Sequence, residues 1–120
     1  MSYGDIVLGR VSESLAYHLV KRVRVEHQWA DGTKADEYLH DVQIAARHPA
    51  AQVLVYERSG DFFVATISPT TEVVPVERLG CDWQPNLLVV YSAQHAMVTK
   101  SYMFSSLEAV NLPERIRWLR

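Results

Sequence analysis

The chain has 120 residues and a formal net charge of −2 at pH 7, with 48% hydrophobic and 22% charged residues. A chain of this length and hydrophobic content buries a core of its own, which excludes a disordered protein and favours a single domain over residues 1–120. The slightly acidic balance argues against a protein that binds nucleic acid through its overall charge, although it is compatible with a local basic face.

The compartment is predicted from the single cysteine and from the start of the chain. Cys81 has no second cysteine with which to form an intramolecular disulfide, so we expect a cytoplasmic protein with an inert thiol. The opening residues MSYGDIVLGR lack the charged and apolar segments of a signal peptide. No apolar run approaches the roughly 18 residues of a membrane span, so no membrane association is expected.

The first half of the chain carries helical patterns. A first helix is predicted over residues 12–29, with Ser12 or Ser14 as its N-cap. Its apolar stripe consists of Leu15, Leu19 and Val23. A second helix is predicted from the N-cap Thr33, with Asp36 in the place of a capping-box acid. It should end at His48, because the following proline disfavours helical geometry there.

The second half of the chain is rich in β-forming residues. A hairpin is predicted from residues 52–57 and 62–68, joined by a tight turn around Ser59-Gly60. A second hairpin is predicted from residues 87–93 and 96–104.

Two weaker elements complete the sequence pattern. Residues 72–76 could form a short strand, but Pro75 restricts it to a sheet edge or a loop. Pro113 suits the first position of a terminal helical turn that runs to the end of the chain. The predicted fold is therefore α+β, with two N-terminal helices packed on a four-to-five-stranded antiparallel sheet and a short C-terminal helix.

Metal and cofactor sites are not expected. Glu37 and His40 stand three residues apart on the second helix, with Asp36 beside them, but a di-metal bundle needs that motif on two helices. A solvated helix face explains these residues equally well. The glycines build no phosphate-binding loop, so no nucleotide cofactor is predicted.

General acid–base chemistry is the remaining possibility. A metal-free ribonuclease needs a general base, a general acid and cations that hold the phosphate, and the pKa of histidine near 6.5 suits either proton role. The first helix supplies His18 and His27, with Lys21, Arg22 and Arg24 between them. The last long strand supplies Thr99 and Tyr102, which face opposite sides of a regular strand and could share one site only across a bulge.

The layout resembles the barnase, EndoU, colicin and RelE-like ribonuclease superfamily. The similarity lies in the histidine-bearing basic helix, the Asp-Gly-Thr turn, the His48-Pro49 helix end and the last hairpin LLVVYSAQHAMVTKSY. It covers about residues 14–104 and implies an RNA substrate. The implied roles are proton transfer by His27 or His18, contributions from the terminal strand by Thr99 and Tyr102, and phosphate contacts by Lys21, Arg22 and Arg24.

Two other classes of function compete with this interpretation. A non-catalytic interaction module, such as an immunity- or antitoxin-like partner or a homodimer, could use Trp83 and Trp118 as interface anchors, and the acidic balance suits it. A small-ligand site could lie between helices and sheet, with walls from Tyr91, Tyr102 and Phe104.

Overall fold

The computed structural model describes residues 13–113 and 115–120, so the predicted N-cap Ser12 and the opening segment lie outside the described residues. The helices are α1 (Glu13–Val20), continued by a π-helical turn (Lys21–Val25), α2 (Ala35–Arg47) and α3 (Thr70–Val73). The strands are β1 (Gln52–Arg58), β2 (Asp61–Pro69), β3 (Asn86–Ser92), β4 (Met97–Phe104) and β5 (Ile116–Trp118). Short 3-10 turns occupy Val76–Arg78 and Leu107–Ala109. Among the described helices, none has the length and hydropathy needed to cross a bilayer.

The five strands form one antiparallel sheet in the order β4-β3-β2-β1-β5, which confirms the predicted α+β class. Helix α2 packs on one face, where Val42 and Ala45 meet the β3 side chains Leu87 and Val89. The opposite face carries a second apolar cluster, which includes Leu54, Tyr56, Ala65, Ile67, Leu88, Val90 and Phe104. Because β3 is buried on both faces, its side chains form an almost continuous apolar run.

Both predicted hairpins are present. In the first, Arg58 pairs with Asp61, and the two turn residues Ser59 and Gly60 have φ angles of 53° and 79°. Positive φ at both positions belongs to a turn whose twist matches that of the flanking strands. In the second hairpin the register shifts between Val90 and Tyr91, which leaves Thr99 as an extra, bulged residue of β4.

The predicted C-terminal helix is wrong, because the chain ends in β5. This strand pairs with the edge of β1, where Leu54 lies opposite Trp118. The pairing continues as Leu119 N donates to Val53 O at 2.7 Å and Val53 N donates to Arg120 O at 2.7 Å. A helix here would leave the outer backbone groups of β1 without these partners, and that requirement outweighs the local preference.

The short strand considered for residues 72–76 does not form. The segment forms α3 and a 3-10 turn instead. Thr70 fixes the start of α3, because its backbone N donates to Pro85 O at 2.9 Å and its hydroxyl donates to Gln84 O at 2.5 Å. Both partners lie fourteen or more residues away, so local sequence does not reveal them.

The second helix begins one residue later than predicted. The Glu37 carboxylate accepts from Lys34 N at 2.9 Å, which is the acidic half of a capping box centred on Lys34 rather than Thr33. The Thr33 hydroxyl instead donates to Ala30 O at 2.7 Å and closes the preceding turn. The helix ends at Arg47, next to the predicted boundary at His48.

A buried ion pair joins α2 to the segment after α3. Asp41 is 0% exposed and binds Arg78 through two hydrogen bonds, Nη2 to Oδ1 at 2.5 Å and Nε to Oδ2 at 2.8 Å. The Trp29 indole donates to the same carboxylate at 3.2 Å. Three separate parts of the chain therefore depend on one carboxylate, which has no solvent to replace a lost partner.

Side chains cover the outer edge of β4. Arg22 Nε donates to Ser101 O at 2.8 Å, and the Tyr38 hydroxyl donates to the same oxygen at 3.1 Å. The Gln28 amide exchanges two hydrogen bonds with Met103, Nε2 to the carbonyl at 2.9 Å and Oε1 from the backbone N at 2.7 Å. This amide replaces the backbone of a sixth strand, so the edge is closed to another chain along this stretch.

Asp41→Asn should lower the free energy of unfolding by about 3 kcal/mol, because it removes the closer of two carboxylates that pair with the partly buried Arg78 charge and leaves only Glu37, at 3.7 Å. Urea unfolding followed by circular dichroism measures this loss. Asp82→Asn, the same change at an exposed loop position, should cost less than about 0.5 kcal/mol. Equal losses in the two variants would contradict a structural role for the Asp41 pair.

Gln28→Glu should destabilise the fold by about 2 kcal/mol at pH 7, because a carboxylate cannot donate to Met103 O. Gln52→Glu introduces the same charge at an exposed position of β1 and serves as the matched control. Urea unfolding followed by circular dichroism should show this loss in the first variant alone. Equal free energies of unfolding in the two variants would show that the Gln28 amide does not hold the β4 edge.

Candidate functional site

Helix α1 and its π-helical extension run along β4, so the basic helix and the last long strand meet. Arg22 reaches Ser101, 79 positions along the chain, and its guanidinium lies over the Tyr102 ring at 5.2 Å from the ring centroid. His18 stands one helical turn before Arg22, on the same side. We call the resulting group the α1–β4 seam; it comprises His18, Lys21, Arg22, Thr99, Lys100 and Tyr102.

The surroundings of His18 favour the neutral form of its imidazole. Burial lowers the pKa of His18 below 6.5, and the positive charges of Arg22, Lys21 and Lys100 act in the same direction. A hydrogen-bonding interaction with the Thr99 backbone opposes them without reversing the shift. Within the described part of the chain, the buried Nδ1 of His18 has no hydrogen-bond partner. An uncharged imidazole at neutral pH can accept a proton.

Arg22 is buried and bound to protein groups, whereas a phosphate contact is expected to face solvent. The residue is only 4% exposed, and it binds the Glu26 carboxylate at 2.6 Å as well as Ser101 O. Its guanidinium is therefore used to position β4 and to add positive charge to the seam. Lys21 is half-buried and Arg24 is exposed, so these two neighbours keep access to solvent.

The strand side of the seam combines a bulge and two long polar side chains. The Thr99 hydroxyl donates to Val90 O at 3.3 Å, so the bulge directs it onto the sheet backbone. Tyr102 is half-buried, and burial raises the pKa of its phenol, which stays protonated at neutral pH. Lys100 is half-buried as well, and burial together with the charges of Arg58 and Arg22 lowers its pKa.

Lys100 and Tyr38 are not among the site residues predicted from the sequence. Lys100 lies two residues before Tyr102, so strand parity already groups it with a predicted site residue. Tyr38 lies on α2. Its buried hydroxyl contacts both the carbonyl and the hydroxyl of Ser101, and burial raises the pKa of Tyr38 to about 12.

The structure separates the two candidate histidines. His27 lies in the loop after α1, at a φ of 53°, and lines a cavity of about 190 Å³ with Trp29, Gly80 and Cys81 among its other walls. A side chain at Gly80 would overlap the carbonyls of His27 and Trp29, so the backbone is tightly packed there. The seam therefore contains His18 and not His27.

The residues considered for other functions are distributed over the rest of the surface and core. Of the three proposed pocket walls, Tyr102 and Phe104 line one cavity of about 350 Å³, whereas Tyr91 does not line it and is 3% exposed. Trp83 and Trp118 expose 41% and 42% of their surface. Asp36, Glu37 and His40 line a groove beside Arg78, and within the described residues no group of three potential ligands could hold a metal ion.

The chain matches no family model, no curated protein and no solved structure. The α1–β4 seam combines a histidine whose pKa is lowered, a protonated phenol and several cations on one helix–strand boundary. Such a set can accept one proton, donate another and stabilise negative charge.

The depressed pKa of His18 predicts a specific pH dependence of stability. The unfolded chain binds a proton at His18 near pH 6.5, whereas the folded protein binds it only at lower pH. This contribution to stability is present above pH 6.5 and is lost as the pH falls from 6.5 through the folded pKa.

Proton NMR of the His18 ring should therefore give a midpoint below 6.5 in the folded protein. Lys100→Gln should raise that midpoint, because it removes one of the positive charges that act on the imidazole. Exposed Lys34→Gln is the matched control and should leave the midpoint unchanged. A wild-type midpoint at or above 6.5 would contradict the environment described for His18.

Proposed function

We propose that this protein cleaves RNA without a metal ion, at the α1–β4 seam. The observation that carries the proposal is the meeting of His18 and Arg22 from the helix with Lys100 and Tyr102 from a strand about 80 positions away. These residue types supply the functions that transesterification of RNA requires. The sequence resemblance to the barnase-like ribonuclease superfamily points to the same substrate.

His18 and Tyr102 carry the two proton transfers of this reaction. His18 accepts the proton of the ribose 2′-hydroxyl, and the 2′ oxygen then attacks the neighbouring phosphorus. The bond from phosphorus to the 5′ oxygen breaks, which leaves a 2′,3′-cyclic phosphate on one product. The protonated phenol of Tyr102 gives its proton to the departing 5′ oxygen, which becomes a hydroxyl.

The cations of the seam stabilise the charge that develops on the phosphate oxygens. Lys100 and Lys21 are half-buried and have no carboxylate within ion-pair distance in the described part of the chain. Arg22 acts as a positioning residue, because it holds β4, and its charge adds to the burial that lowers the pKa of His18. A neutral base and a preorganised positive surface are both needed before the reaction begins.

Single-stranded RNA should be cleaved by the purified protein in excess EDTA, with 2′,3′-cyclic phosphate at the new ends. His18→Gln should slow cleavage by at least about 100-fold, because it removes the general base. His27→Gln is the matched control and should retain most of the wild-type rate. Circular dichroism of both variants separates a loss of chemistry from a loss of fold.

The opposite results would change the assignment. Loss of cleavage in His27→Gln alone would move proton transfer away from the seam. RNA that stays intact at high protein concentration would overturn the proposed activity. The exposed Trp83 and Trp118 would then favour the alternative hypothesis of a protein partner or a second copy of this chain.

A further inference from the structure

Arg58, at the end of β1, is a cation held in place outside the seam. Its guanidinium lies over the Tyr56 ring, 5.8 Å from the ring centroid. The Tyr56 ring also stacks on the Phe63 ring, with 5.2 Å between the two centroids and an interplanar angle of 20°. Arg58 Nη2 also donates to Asn111 O at 3.2 Å. Two neighbours therefore fix the guanidinium before any ligand binds, which lowers the entropy lost on binding.

The carboxylate paired with Arg58 across the hairpin is engaged elsewhere. Asp61 is the cross-strand partner of Arg58, but its oxygens accept from Ser92 Oγ at 2.5 Å and Gln94 N at 3.0 Å. No carboxylate of the described residues lies within 4.0 Å of the Arg58 guanidinium or the Lys100 ammonium. Arg58 is half-buried, so it keeps a surface on which an anion can bind.

Lys100 connects Arg58 to the seam. Tyr102 packs against the apolar cluster that contains Tyr56, on the sheet face away from α2. The Arg22 guanidinium lies over the Tyr102 ring and the Arg58 guanidinium over the Tyr56 ring, and both charges act on the Lys100 ammonium. Three cations close together repel one another, and a ligand with several negative charges would offset that repulsion.

We propose that Arg58 and Lys100 form a subsite for a second backbone phosphate of single-stranded RNA, adjoining the phosphate that is cleaved at the seam. This inference rests on the proposed function for the direction in which the RNA runs. Arg58 binds the phosphate through its planar, preoriented guanidinium, while Lys100 is shared between the two phosphates. RNA would then cross the sheet face from the α1–β4 seam towards the end of β1.

The test uses a nine-nucleotide single-stranded RNA carrying 2′-O-methyl groups, which cannot be cleaved by attack of the 2′ oxygen. Arg58→Gln should weaken its binding about tenfold in fluorescence anisotropy. It should also reduce the slope of log Kd against log salt concentration by about 0.7, the effect of one lost phosphate contact on a single strand. Arg117→Gln removes the same charge from exposed β5 and should change neither quantity.

Further variants and substrates distinguish the two proposals. Arg58→Lys keeps the charge and should keep the salt slope, and the loss in Arg58→Gln should be larger for the nine-nucleotide RNA than for a dinucleotide. Equal binding by Arg58→Gln and Arg117→Gln, or no binding by the wild type, would overturn the subsite. If unmodified RNA stays intact but Arg58→Gln still reduces the slope, the subsite stands and the cleavage proposal fails.

Discussion

The outer edge of β4 is the constraint on which much of the structure depends. An edge strand presents backbone groups that need partners, and here side chains provide them. Arg22 and Tyr38 donate hydrogen bonds to the Ser101 carbonyl, while Gln28 donates one to the Met103 carbonyl. Because these three residues come from the turn after α1, the following loop and α2, closing one edge fixes the position of the whole N-terminal half against the sheet.

The same constraint determines what the candidate site can be. The hydrogen bond from Arg22 to the Ser101 carbonyl holds Arg22 at the edge. His18 lies one turn earlier on the same helix side, so this bond also places His18 beside β4. The imidazole then lies among cations that favour its neutral form. This contact therefore determines both the geometry and the electrostatics of the seam. It also explains why Arg22, which the sequence predicts as a phosphate contact, positions β4 instead. Arg22 therefore links the packing of the β4 edge to the proposed chemistry of the seam.

The elements that the sequence predicts well are those whose causes are local. Ser59-Gly60 forms a tight turn because its residues suit positive φ, and the apolar run of β3 marks a strand buried on both faces. The failures have distant causes. Strand β5 exists because Val53 offers backbone groups to residues more than sixty positions later, and α3 begins where Thr70 meets Gln84 and Pro85. Periodicity cannot identify such partners.

The sequence predicted which types of residue the candidate site contains, but it identified only some of the individual residues. Spacing alone could not separate His18 from His27, since the choice depends on where the helix stops and which strand it meets. The net charge of the chain was also a poor guide to the charge at the candidate site. The acids that make the chain negative include Asp41, paired with Arg78, and Asp61, bound to Ser92 and Gln94. A protein of charge −2 can therefore keep Lys100 and Arg58 without carboxylate partners on one described surface, where an anion is the group that best offsets their repulsion.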